Sequence, residues 1–206
     1  MPERAWIAAP VEELCLGFAN TRCWRGTAAP TESLGSLDDL LAWCADKAAL
    51  PEPDIAALRE RWHGRPEESA ALFEGVIALR EAIYRIFHAI AAAAEPTAAD
   101  LRLLNEALAA APKRRALRPM PRGYGWLIEA KEPSALALLT PVLWSAGDLL
   151  VGQRLAKLRH CANPQCHWLF VDDSKSGNRR WCSMSACGNR AKAHRHYVRK
   201  KGGGEP

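Results

Sequence analysis

Four cysteines near the end of the chain constrain its folding more than any other feature. They fall as Cys161-x4-Cys166 and, 15 residues on, Cys182-x4-Cys187. Each pair fits one local loop, and the insert is short enough to fold back and bring the pairs together. Four thiolates at about 2.3 Å close a tetrahedral shell around one Zn2+ and leave no place for water, so the expected ion is structural rather than catalytic. The bland alternative is four reduced cysteines in a core. His160 and His167 adjoin the ligands and leave room for a mixed site. Cys15, Cys23 and Cys44 lie scattered, so the total of seven is odd. The start, "MPERAWIAAPVEELC", lacks the basic opening and unbroken apolar run of an export signal. Both observations point to a reducing cytoplasm, where clustered thiols read as a metal site and not as disulfides.

Between the pairs, "WLFV" is a strand candidate, "DDSKSGN" a polar turn and "RRWC" a returning strand, which together predict a hairpin. Ser183 suits the N-cap of a helix beginning near Ala186 and places Cys187 in its first turn, where free N–H groups favour a thiolate. Knuckle, hairpin and ligand-bearing helix form the layout of a treble-clef finger. Four thiolates around Zn2+ carry a formal charge of −2, which Arg179, Arg180 and Arg190 are placed to offset.

Charge divides the chain sharply. Residues 1 to 153 carry 16 Lys/Arg against 20 Asp/Glu, a net of −4, whereas residues 154 to 201 carry 12 against 2, a net of +10. One −2 centre cannot absorb that excess, so the finger is expected to meet a polyanion, with DNA leading. Beyond Cys187, a stripe of Ala191, His194 and Val198 faces the zinc module, while Lys192, Arg195 and Arg199 line another face. Asn189 and Arg190 have the side chains that read adenine and guanine edges. The candidate nucleic-acid contacts are therefore Arg179, Arg180, Asn189, Arg190, Lys192, Arg195 and Arg199. RNA binding, docking on a protein or on the acidic body, and a simple solvated helix are the alternatives. The finger offers few exposed aromatics beyond Trp168, Trp181 and Tyr197, which weighs against base stacking on RNA.

The rest reads as a helical body. A first helix starts in "VEELCLGFANTRCW", and Ser36 with Asp39 opens a second that stops before Pro51. A third spans about Ile55 to Trp62. Leu72, Val76, Leu79, Ile83, Ile86 and Ile90 form one buried stripe on a long helix over 67–94. Thr97 and Asp100 open another, ending near Ala111. Between Pro112 and Pro133 two short extended runs around a Pro/Gly turn predict a β-hairpin. A last helix runs from Pro133 to about Leu158. Trp43, Trp62 and Trp144 read as core, and His63 and His88 stand alone in the sequence. Nothing resembles a nucleophile with its base, so no enzyme is expected. No stretch approaches the roughly 20 apolar residues of a membrane span. The body has the size to hold a small-molecule effector or to form a homodimer.

The stretch "RHCANPQCHWLFVDDSKSGNRRWCSMSACGNRAKAHRHY" is similar to the CGNR zinc finger, named for the run that here is Cys187, Gly188, Asn189 and Arg190. "LCLGFANT", residues 14 to 21, resembles the start of the ABATE domain that precedes such fingers. The resemblance implies zinc on Cys161, Cys166, Cys182 and Cys187, and a stress-induced transcriptional regulator of bacteria. Gly17 stands where an acidic residue is common in that family, and Asp173 where threonine is. Asn20 and Thr21 read as helix-end caps. The expected architecture is α+β, mainly α. A helical body with a small β-hairpin insert (1–158) precedes the treble-clef-like finger (159–201) and a disordered tail (202–206).

Overall fold

A computed structural model describes residues 4–8, 13–47, 52–121, 123–130, 135–193 and 197. The chain runs β1 (Arg4–Ala8), α1 (Leu14–Ala19), β2 (Arg22–Cys23), β3 (Thr31–Glu32), α2 (Leu37–Lys47), α3 (Glu52–His63), α4 (Pro66–Ala91) and α5 (Ala98–Ala110). It continues through β4 (Leu117–Pro119), β5 (Tyr124–Ala130), α6 (Ala135–Val151), a 3-10 segment (Gln153–Lys157), β6 (Leu158–His160) and β7 (Leu169–Val171). A finger helix opens with a π-turn at Met184–Gly188 and continues over 189–193. The fold is α+β and mainly α. Among the described residues no helix is long and apolar enough to cross a membrane.

The helix starts sit where their caps place them. The Asp39 N–H donates to Ser36 Oγ and the Asp100 N–H to Thr97 Oγ1, both at 3.2 Å, at the heads of α2 and α5. The apolar stripe of α4 is the centre of the body: Val76, Leu79, Ile83, Ile86 and Phe87 are all buried. This helix packs against α1, α2, α3, α5 and α6, and its far end meets β6 and β7. Leu104 from α5, and Leu138, Leu139 and Leu143 from α6, fill the core around it. Burying each such side chain contributes about 1.5–3 kcal/mol, so the body has ample apolar area to fold without a staple.

The expected hairpin over 112–133 is β4–β5, with Leu117 opposite Trp126. A third strand, unannounced by the sequence, completes this sheet. β1 pairs antiparallel along the other edge of β5, from Arg4↔Ala130 to Ala8↔Trp126. Five residues far from their partner carry too little alternation to announce a strand.

Two further expectations are corrected. The last helix ends at Val151, not near Leu158, because Gly152 turns extended (φ −89°, ψ 157°) and Leu158 joins a strand. The apolar spacing of Leu150, Leu155 and Leu158 suits a helix, but pairing of Leu158 with Val171 overrides it. The hairpin is also in a different place. "LFV" pairs with the upstream "LRH", and 179–182 is irregular. Pairing across the first cysteine knuckle thus wins over pairing across the polar turn.

Candidate metal centre and basic finger

Each element of the finger delivers a cysteine. The β6–β7 hairpin holds the first knuckle, with the Cys161 N–H donating to the Trp168 carbonyl at 2.7 Å. Asn163 turns the chain: its carbonyl accepts from the Cys166 N–H at 2.9 Å, and its amide donates to the Cys187 sulfur at 3.4 Å. Asp172 closes the insert. One carboxylate oxygen accepts from the Ser174 N–H (3.0 Å) and hydroxyl (2.5 Å), and the other from the Arg179 N–H (2.8 Å). The Ser174 hydroxyl foremost, with these other donors, holds its carboxyl below the usual carboxylate range. The second knuckle is tied to the first by the Ala162 N–H, which donates to the Arg180 carbonyl at 2.9 Å. Ser183 caps the finger helix as expected, accepting from the Ala186 N–H at 3.1 Å, and sets Cys187 in its first turn.

These constraints bring the four sulfurs within 4.8 Å of one another. Cys166 and Cys182 are 3.7 Å apart, and Cys182 and Cys187 3.8 Å. Four thiolates at about 2.3 Å around a tetrahedral ion are themselves about 3.8 Å apart, so the donor set fits Zn2+. Burial foremost, then the neighbouring sulfurs, pushes the Cys166 thiol up, and Cys182 up to about 12. Burial also pushes Cys187 upward, but the hydrogen bond from Asn163 and those among the thiols outweigh it and lower it. The protein alone therefore resists collecting four thiolates, and a dication reverses that balance. His160 and His167 are not among the four.

The finger is docked on the body through residues that carried no clear signal in the sequence. Asn20 does more than end α1: its amide donates to the Leu169 carbonyl (2.8 Å) and its oxygen accepts from the Leu169 N–H (3.0 Å). It occupies the free edge of β7 as a third strand would. The Gly26 N–H donates to the Gln165 carbonyl at 3.2 Å. A β-carbon on Gly26 would lie 1.9 Å from the Pro164 carbonyl oxygen, so only glycine fits. Trp24 packs against the cysteine cluster and lies under the Arg190 guanidinium, 4.5 Å from its ring centre.

Behind this contact lies an ion network built on Arg80, which is 1% exposed. Its guanidinium donates to both Glu32 oxygens (2.6 and 2.7 Å), to Glu81 (3.0 Å) and to Thr21 (3.2 Å). Arg25 also pairs with both Glu81 oxygens, at 2.7 and 3.0 Å, and stacks on Tyr84. Burial raises the Glu32 and Glu81 carboxyls, but the arginines outweigh it and hold both below the usual range.

The family model for ABATE, described as "Putative stress-induced transcription regulator", matches residues 12–153. The chain belongs to the ABATE family. The model of the CGNR zinc finger matches residues 157–200, so the two follow one another as the residue patterns imply. No curated protein matches the chain significantly.

The four zinc ligands expected of the CGNR finger converge as its motif requires, for one structural Zn2+. Its basic residues divide into two groups. Arg179 is folded back on the second knuckle: its Nε donates to the Trp181 carbonyl at 2.9 Å, another nitrogen reaches the Cys182 carbonyl, and the group stacks over Phe170. Arg190 holds the finger to the ABATE body through Trp24. Arg179, Arg180, Asn189, Arg190 and Lys192 are all exposed, Arg179 and Arg190 despite these contacts, and Arg180 lies 5.4 Å from the Trp181 ring centre. Arg195, Arg199, His194, Val198 and the 202–206 tail lie outside the described residues. Asp173, one departure from the family pattern, pairs with Arg154 and Lys157 at the domain junction. His88 is not alone, as the sequence suggested: its ring meets His160 and His167.

Proposed function

We propose that this ABATE–CGNR chain is a cytoplasmic, non-catalytic transcriptional regulator whose zinc-stapled finger binds duplex DNA. The observation that carries the reading is the charge split, +10 over residues 154–201 against −4 over 1–153, on a finger with its own rigid metal platform. Arg180 and Lys192, joined by Arg195 and Arg199, supply phosphate contacts, and Asn189 faces outward where a base edge can be read. Arg179 and Arg190 keep cation charge near the backbone while fixing the finger's shape and docking.

A second reading has one observation behind it. The docking through Asn20, Gly26 and Arg190 shows that part of the finger surface already serves protein contact. A mobility-shift titration of the full zinc-loaded chain separates the readings. Retardation of duplex DNA that weakens as salt rises supports the regulator. Retardation of single-stranded RNA alone, or of no nucleic acid at about 50 mM salt, where phosphate contacts are least weakened by counterions, refutes it.

A further inference from the structure

Three histidines from separate elements meet beside the zinc centre. His88 lies in the last turn of α4, His160 ends β6, and His167 follows the Cys166 ligand. One ring nitrogen of each lies within 4.8 Å of one from each of the others. The ring centres are 5.3 Å (88–160), 5.8 Å (88–167) and 6.2 Å (160–167) apart. The Nδ1 atoms of His160 and His167 are buried and without a hydrogen-bond partner. An unsatisfied buried polar atom costs about 1–3 kcal/mol, which a cation coordinated at that same nitrogen would relieve. His167 is held in a left-handed backbone, φ 56°, a conformation of the kind that collects at functional sites.

Ordinary ring packing explains three clustered imidazoles, but not two buried nitrogens left without partners. We infer that His88, His160 and His167 form a second metal site, distinct from the four cysteines, that takes a divalent ion of the zinc class. Nitrogens at about 2.1 Å from a tetrahedral ion are about 3.4 Å apart, so the rings need to close by roughly an ångström. Neutral imidazoles suit Zn2+, Cu2+ and Ni2+ over Mg2+ or Ca2+. Three histidines leave one position open, unlike the closed cysteine shell. A cavity of about 360 Å³ lined by His88 and His167 with Arg22, Arg25, Gly26 and Tyr84 brings solvent to that position. Both arginines are paired with Glu81, which offsets their charge beside the ion. The site joins α4 of the body to both strands' ends in the finger, so the ion clamps the two domains.

Loading of the histidine site does not depend on DNA binding. The full-length chain, with zinc already in its cysteine site, is titrated with Co2+ and followed by visible absorption. The expected result is one saturable equivalent with ligand-field bands and no thiolate-to-cobalt charge transfer. His88→Gln in the body and His167→Asn in the finger, the latter suited to a left-handed backbone, each weaken that binding at least about 100-fold, more than the loss of a supporting residue. Each variant's retained zinc shows that its finger is folded, and two variants keep the test open should one misfold. Absence of a saturable second equivalent, a signal carrying thiolate charge transfer, or undiminished binding in a folded variant overturns the inference.

Discussion

Removing the Asn20 side chain tests how the finger is held. Leu169 is 2% exposed, and its N–H and C=O both point to the β7 edge that Asn20 occupies. On the other side of the hairpin the neighbouring Trp168 carbonyl is already used by the Cys161 N–H. Asn20→Ala therefore orphans one donor and one acceptor in a site water enters poorly. At about 1–3 kcal/mol for each unsatisfied group, less where water relaxes in, the loss is about 2–4 kcal/mol. Asn20→Asp retains an acceptor for the Leu169 N–H but faces the carbonyl with a carboxylate, so it recovers only part. Hydrogen exchange of the Leu169 amide and urea unfolding of the full chain measure both effects. The zinc content should stay unchanged, because all four ligands lie within 161–187. Leu169 protection equal to wild type, with stability changed by less than about 0.5 kcal/mol, would refute this view of the junction.

Other substitutions separate the remaining parts. Gly26→Ala puts a methyl 1.9 Å from a backbone oxygen, and the loop must move; proteolysis should cut between body and finger faster than in wild type. Arg80→Met removes the cation shared by Glu32 and Glu81 and should cost about 2–3 kcal/mol in thermal or urea unfolding. That is below the cost of breaking a fully buried pair, because water reaches both carboxylates. Glu32 and Glu81 have folded-state pKa values below the ordinary 4.5, so their stabilisation is full above that pH and is lost as pH falls through the folded values. Urea midpoints should fall below about pH 4.5 in wild type and fall less steeply in Arg80→Met. Cys182→Ala should abolish zinc retention at the cysteine site and the finger's fold, seen as metal loss and amide exchange confined to 158–193.

Much of the site was legible because its signals are local. Two matched cysteine pairs, the Ser183 cap and the one-sided charge all lie within 48 residues, and short-range geometry decides them. The stripe on α4 and the caps on α2 and α5 were readable for the same reason. What escaped depends on distant partners. The edge position of β1, Asn20 on Leu169 and the meeting of His88 with His160 and His167 are set by tertiary packing, whereas β6 with β7 is a choice between two local hairpins that alternation alone does not decide. No periodicity records such contacts. Arg80 was hidden differently: it sits beside the apolar stripe of a helix, where a charge next to Glu81 reads as solvated until Glu32 arrives from a distant strand to bury it.

The most direct measurement of DNA binding is the salt dependence of affinity for a duplex, by fluorescence anisotropy of the full zinc-loaded chain. About four phosphate contacts from Arg180, Lys192, Arg195 and Arg199 give a slope of log affinity against log salt near about −3.6. The Arg180→Ala/Lys192→Ala double variant should lower its magnitude by about 2 with zinc content unchanged. No measurable duplex binding, or a slope that the double variant leaves untouched, would contradict a finger that grips DNA.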